Sequence, residues 1–451
     1  MGISREQVMT PLNGKELLLA RVNKTGFIAG QLMGNSMKAV SLAGITIGVL
    51  RFLFVGILAT AEKMQKAKRT HFAKYTPKVG VIVPAYNEGP VVNKSIQSIL
   101  QSDYPNLEII VVDDGSTDDT YKTVVRKYGR NKKVWVFTKP NGGKSDALNY
   151  GLRNTNAEMV VILDADTIVT KNAIRNLARH FRDPNIGAVA GNSKVGNRTN
   201  MLTKMQALEY ITSQNLDRQA FCLLNCIRVV PGAIGMWRRQ LLLDLGGFTT
   251  DTLAEDTDMT LKVIRAGYKV DYDSHAIAYT EAPDTISGFM KQRFRWMHGT
   301  LQAVWKHNDL LLRRKAGGLG WIALPDVWLF QVLFPIFAPL VDVLLVYNIA
   351  FSIVQVINHP ENHSLLALYQ AGTYYFIFLG VDYAAAIMSF VMERKENWKL
   401  LPWLFVQRFI YRQLLYFTSI KSTLAIFKGK PVGWGKLKRT DSVNLALATT
   451  G

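Results

Sequence analysis

MVVILDADT, residues 159–167, decides how this chain is read. Val160, Val161, Ile162 and Leu163 form an unbroken apolar run that stops at Asp164-Ala165-Asp166. Such a run, closed by a polar turn, predicts a buried strand of a mostly parallel sheet. Ligands of open α/β sheets bind just outside the carboxyl ends of the strands. Two carboxylates one residue apart at that edge suit a hard divalent cation shared with phosphate oxygens. A helix-capping acid and a turn acid are the plain alternative, so the rest of the chain has to decide.

Outward from that strand, the apolar runs 79–83, 107–112 and 134–137 predict three more. They alternate with helical patterns at 91–100, 117–128 and 145–153. Ser116 or Thr117 is the expected cap of the second helix, with Asp118 and Asp119 at its positive end. The alternation implies a doubly wound, Rossmann-like parallel sheet with a nucleotide site at its carboxyl edge. Beyond it, 186–190 reads as a short strand and 201–221 as a long helix. Residues 229–237 read as a glycine-punctuated loop, and 254–266 as a helix. Gln292 to Trp296 then follow a short helix near Ile286.

The flanks are of another kind. The chain has 451 residues, a net charge of +20 and 48% hydrophobic residues. That pairing suits a membrane protein with basic cytoplasmic flanks or a nucleic-acid binder. Residues 1–38 are polar and mixed. Residues 39–60 are apolar except for Arg51 and a few hydroxyls, and long enough to span a bilayer. Lys63, Lys66, Lys68, Arg69, Lys74 and Lys78 follow, against the single acid Glu62, which places what comes next in the cytoplasm. Residues 61–307 form the expected catalytic domain and 308–427 a set of transmembrane and interfacial helices. Within these, 328–356 carries Pro335 and Pro339, 359–364 is a polar external loop, and 365–392 is a span broken by Asp382. Residues 400–427 carry Arg408, Arg412 and Lys421 at helical spacing and suit an interfacial helix. Residues 428–451 are a cytoplasmic tail with Lys428, Lys430, Lys436, Lys438 and Arg439. Cys222 and Cys226 read as packing residues: two thiols complete neither a zinc site nor a disulfide framework.

Several motifs fall at the expected sheet edge. They are Pro84-Ala85-Tyr86-Asn87-Glu88, Asp113-Asp114-Gly115-Ser116, Gly142-Gly143-Lys144, Asp164-Ala165-Asp166, Ala254-Glu255-Asp256 and Gln292-x-x-Arg295-Trp296. Two glycines and a lysine opening a helix suit a diphosphate, and one of Glu255 and Asp256 could be a general base. In this order the motifs resemble the processive family-2 membrane glycosyltransferases: the cellulose, chitin, hyaluronan and poly-N-acetylglucosamine synthases. The resemblance is close over residues 78–305. It implies a GT-A catalytic domain that transfers a sugar from a UDP donor with inversion, using Mg²⁺ or Mn²⁺. It implies that Asp113 contacts the uridine, with Pro84, Ala85, Tyr86, Glu88 and Asp114 around it. Lys144 lies near the donor phosphates, and Asp164 and Asp166 hold donor and metal. Asp256 is the base, beside Glu255, while Gln292, Arg295 and Trp296 border acceptor and pyrophosphate. The family often has Thr before Glu-Asp, where this chain has Ala254.

The expected product is a β-linked polysaccharide made at the plasma membrane by a multi-pass protein. The donor is UDP-N-acetylglucosamine first and UDP-glucose second. Three or four spans are few for a polymer channel, so a partner subunit or a second copy is expected. The alternative is a glycolipid synthase placing one sugar on diacylglycerol or a polyprenyl phosphate. A nucleic-acid partner is not expected, because acids at the strand ends repel a phosphate backbone.

Overall fold

The computed structural model describes residues 13–68, 75–358, 365–393, 396–429 and 441–449. Residues 1–12, the basic positions Arg69 and Lys74, the loop 359–364, and Lys430, Lys436, Lys438 and Arg439 lie outside them. The chain divides into two units, Met1–Arg51 with Leu340–Phe378, and Phe52–Pro339 with Leu379–Gly451. From Gly14 onward the first is helical throughout its described part.

One helix, Gly14–Lys68 (α1), runs through both the polar segment and the expected span. Strands Val79–Ala85 (β1), Leu107–Asp113 (β2), Val134–Thr138 (β3) and Met159–Ile162 (β4) alternate with helices Val92–Leu100 (α2), Thr120–Tyr128 (α3) and Lys144–Arg153 (α4). These strands pair in parallel, in the order β3-β2-β1-β4. Val161 on β4 and Ile110 on β2 are fully buried, as continuous apolar runs require of a strand covered on both faces. In register, Ala85 stands beside Asp113 and Ile82 beside Ile162, so Asp113 and the Asp164 turn emerge on one edge. The cap of α3 differs from expectation. Asp118 Oδ1 accepts from Thr120 N at 2.9 Å, while Ser116 and Thr117 bind Asn87.

The second half of the sheet departs from the doubly wound expectation. Ile168–Val169 (β5), Ile186–Val195 (β6), Gly235–Arg238 (β7) and Lys269–Thr280 (β8) extend the order to β4-β7-β6-β8-β5. β7 runs antiparallel to β4 and β6, and β5 antiparallel to β8, so the sheet is mixed though mostly parallel. Helix Ala173–Ala178 (α5) lies between β5 and β6. Met201–Glu209 (α6), a π-helical turn at Tyr210–Asn215 and Leu216–Cys222 (α7) follow β6. Arg239–Asp244 (α8) and Glu255–Arg265 (α9) flank the loop that leads to β8, and Ile286–Lys306 (α10) comes after it. The Gln292 motif therefore lies in mid-helix, not after a short helix.

Helical backbone resumes at Leu319–Ala323, and continues through Leu324–Asp326 (α11), Val327–Leu333 and Phe334–Asn358 (α12). Leu365–Met392 (α13), Trp403–Phe409 (α14) and Tyr411–Phe427 (α15) complete the helices. Among the described residues two helices are long and apolar enough to cross a membrane, Leu42–Lys66 and Leu319–Leu340. Arg412 pairs with Asp382 at 2.7 Å, so those two charges within apolar helices answer each other. The last turn of the Leu42–Lys66 helix is less simple than a basic flank. Lys66 turns into the catalytic unit, pairing with Glu62 and with Asp271 of β8 at 3.0 Å. Cys222 donates to the same Asp271 at 2.9 Å, so this thiol does more than pack.

Truncating the sheet centre should be costly. Ile110→Ala is expected to remove about 2–5 kcal/mol of stability in chemical denaturation of the detergent-solubilised protein. Trp135→Ala, at a side chain 54% exposed on β3, should change it by no more than about 0.5 kcal/mol.

Candidate active site

The sheet edge opens into a cleft of about 480 Å³. Lys144, Asp164, Asp166, Glu255 and Asp256 line one part of it, and Gln292, Arg295 and Trp296 another. Eight of the sequence-predicted residues therefore share one space. Pro84, Ala85, Tyr86, Glu88, Asp113 and Asp114 stand on the neighbouring strand ends, outside the cleft lining.

Lys144 is the first residue of α4, and its ammonium is the centre of the site. It binds Asp164 Oδ1 at 2.7 Å and Glu255 Oε1 at 2.9 Å. Burial pulls its pKa down, but Asp164, Glu255 and Asp256 outweigh burial and hold it above its ordinary value. The loop before β7 comes close here. A Cβ on Gly232 would lie 2.8 Å from Lys144 Nζ, so a larger residue there would have to push the ammonium aside.

Asp164 to Asp166 form a turn, closed by Thr167 N–H donating to the Asp164 carbonyl at 3.0 Å. Asp166 is buried and its Oδ1 accepts from the Thr167 hydroxyl at 3.1 Å. Asp164 is more open to the cleft. Two carboxylates of this kind are hard oxygen donors and fit a divalent Mg²⁺ or Mn²⁺ that takes its other ligands from phosphate and water.

On β2, Asp113 is 3% exposed. Its Oδ2 accepts from Thr138 Oγ1 at 2.9 Å and Ser116 N at 3.3 Å, whereas Oδ1 is buried with no donor among the described residues. A buried carboxylate oxygen left open in this way suits a ligand N–H. Asp114 has another task. It accepts the backbone N–H groups of Gly142 and Gly143 at 3.0 and 2.8 Å and pairs with Lys139 at 2.6 Å. The glycine N–H groups are thus spent on Asp114, and of the Gly-Gly-Lys motif it is the lysine that reaches the cleft.

Next to Glu255, Asp256 sits in the first turn of α9. Its Oδ1 accepts from Thr257 N at 2.7 Å and its Oδ2 from Gly232 N at 3.2 Å. Burial and then Glu255 push its pKa up, against Lys144 and the two N–H donors, to about 6. A carboxylate poised there is ionised at neutral pH yet basic enough to take a proton. Helix α10 abuts this loop: a Cβ on Gly299 would lie 2.5 Å from Ala254 N. The helix that carries Gln292, Arg295 and Trp296 is thereby held against the residue preceding Glu255.

Sequence reading passed over Arg293. It is buried, pairs with Glu209 at 2.8 Å and lies 4.3 Å from the Trp296 ring centre, fixing that indole from behind. Tyr411 binds the same Glu209. Arg293 and Arg295, two residues apart on one helix, point to nearly opposite faces, and the sequence gives no sign of which one is buried.

A GT-A glycosyltransferase is the class that this sheet, turn acids and facing carboxylate define. Residues 77–299 match the family model described as "Glycosyltransferase like family 2", and the chain carries a family-2 glycosyltransferase domain. A poly-beta-1,6-N-acetyl-D-glucosamine synthase of Staphylococcus aureus (strain COL) is 31% identical over 219 residues, covering 48% of this chain and 53% of the relative. One of the same description from Staphylococcus epidermidis is 31% identical over 222 residues, covering 49% and 54%. The chain thus spans about half the length of the curated relatives it matches. Among solved structures, a mannosyltransferase from Pyrobaculum calidifontis, in complex with GDP-Man and Mn²⁺, superposes with a TM-score of 0.56 at 25% identity. It covers 80% of this chain and 100% of its own.

Removing the central cation should leave Glu255 buried beside two other carboxylates. Lys144→Met is expected to cost about 3–5 kcal/mol of stability, read by denaturation of the solubilised protein.

Proposed function

We propose that this protein is a membrane-embedded, metal-dependent, inverting glycosyltransferase. It moves a sugar from a UDP-sugar, N-acetylglucosamine first and glucose second, onto a growing β-linked polysaccharide. The observation that carries this reading is the set of groups gathered in one cleft: Lys144 paired with Asp164, and close to them Asp256 with its pKa raised to about 6. The names of the relatives support N-acetylglucosamine as the sugar.

In this reading Asp113 Oδ1 accepts the uracil N–H, with the turn from Pro84 to Glu88 beside it. Lys144 and Arg295 meet the diphosphate. Asp164 and Asp166 hold Mg²⁺ or Mn²⁺, which supplies charge neutralisation at the leaving UDP. Asp256 takes the proton of the acceptor hydroxyl as that oxygen attacks the anomeric carbon and the bond to UDP breaks. Gln292 and Trp296 form the platform on which the acceptor sugar rests. In this reading the enzyme sits in the plasma membrane with its catalytic domain in the cytoplasm, and the two long apolar helices Leu42–Lys66 and Leu319–Leu340 support the membrane part of it. A partner subunit or a second copy completes the path for the polymer.

A second reading keeps the chemistry and changes the acceptor to a lipid. It is favoured by one feature: Phe330 and Pro335, on the Leu319–Leu340 helix, line the far wall of the cleft.

Asp256→Asn is expected to abolish sugar transfer while UDP still binds in calorimetry. Near wild-type turnover would remove Asp256 from its role. The wild-type kcat/KM should fall about tenfold per pH unit as pH drops below about 6, because the base must be ionised to act. A rate that is flat from pH 7 to pH 5 would contradict this.

A further inference from the structure

Most charges along the cleft wall are answered within the protein. Arg228 is held by Asp217 and Asp326, Arg293 by Glu209, and Lys144 by Asp164 and Glu255. Arg218, on α7, lines the same cleft and is different. It is 7% exposed and has no ion pair among the described residues. Its one hydrogen bond there runs from Nη1 to Asn215 Oδ1 at 3.0 Å, and its Nε–H is buried with no acceptor. Buried guanidinium donors without partners are costly, and they persist where a ligand meets them. Burial pulls the Arg218 pKa down, while the phenols of Tyr272 and Tyr210 and the Asp256 carboxylate act the other way. The side chain is thus within electrostatic reach of the base.

The helix explains how such a residue comes to stand there. The π-helical turn Tyr210–Asn215 ends one residue before α7, and π turns inside helices recur at functional sites. Asn215, its last residue, is the group that holds Nη1. That leaves the side-on edge of the guanidinium, Nε–H with the other Nη, as a planar fork of two donors. The acids along the cleft wall outnumber its cations, and the donor's diphosphate offsets a bound divalent ion, so the cleft has no surplus positive charge to draw an anionic acceptor.

We propose that Arg218 is an acceptor-binding residue, whose two-donor edge grips neighbouring oxygens of an uncharged glycan beside Asp256. This rests on the glycosyl-transfer reading and adds to it a residue that holds the acceptor. The fork suits the hydroxyl and acetamido oxygens of a neutral sugar, and a lysine in its place keeps the charge but loses the fork.

The test is direct binding to the full-length protein in detergent, by calorimetry. Two probes are titrated separately, UDP and a tetramer of β-linked N-acetylglucosamine. Arg218→Gln and Arg218→Lys are both expected to weaken tetramer binding about 10- to 100-fold and leave UDP affinity unchanged. Arg218→Lys retains the buried charge and decides the matter if Arg218→Gln does not fold. Equal tetramer affinity in the lysine variant and the wild type would overturn the proposal. So would a wild type that ignores the tetramer, or a loss of UDP affinity of the same size. A tetramer of glucuronate, or a polyprenyl phosphate, that binds through Arg218 where the neutral tetramer does not would replace the uncharged acceptor with an anionic one. Failure of the donor reading shows separately, as a wild type that does not bind UDP while the tetramer titration still reports on Arg218.

Discussion

The Lys144 ammonium, shared between Asp164 and Glu255, is the interaction on which the site depends. Three carboxylates, those of Asp164, Glu255 and Asp256, arrive from two elements far apart in sequence. Without a cation between them, their mutual repulsion would drive the turn after β4 away from the start of α9. The lysine removes that conflict at its source, because burial is tolerable for an ammonium only when acids surround it. The cover is built for it too. Gly232 lies over the pair and gives its N–H to Asp256, so the loop before β7 closes the cluster and holds that carboxylate too.

From this centre the cleft divides by role. On the strand side, Asp113 keeps one buried oxygen open while Asp114 ties down the glycines ahead of Lys144. On the helix side, Gly299 brings α10 against Ala254, and Arg293 with Glu209 locks the indole of Trp296. The two sides are rigid for different reasons, one by backbone hydrogen bonds at a parallel strand edge and the other by close helix packing. A direct displacement needs both, since it acts on two reactants held in line.

The first half of the fold is legible in the sequence because β1, β2 and β4 are apolar runs bounded by turn residues. The second half is not. β7 opens with Gly235 shortly after Pro231 and Gly232, which reads as loop until β4 and β6 pair with it from both sides. β8 carries Asp271, Asp273, Ser274 and His275, a polar stretch no strand pattern flags. Those acids are buried against His180 and Lys66, partners distant in sequence. Motif residues could be named, but their division of labour could not. Asp114, beside Asp113, also holds the Gly142 and Gly143 N–H groups, which its place in the motif does not reveal. Arg218 looks like a solvent-facing charge on a helix and is buried, because burial of a charge is decided by tertiary contacts that periodicity does not carry.

The proposed function requires one cleft to hold a UDP-sugar and a growing glycan together. Mass analysis of the products formed by the full-length protein in membranes, with UDP-N-acetylglucosamine and a divalent metal, decides whether it does. A ladder of products spaced by one N-acetylhexosamine is expected. A single sugar on a lipid, with no longer product, would refute the polysaccharide reading.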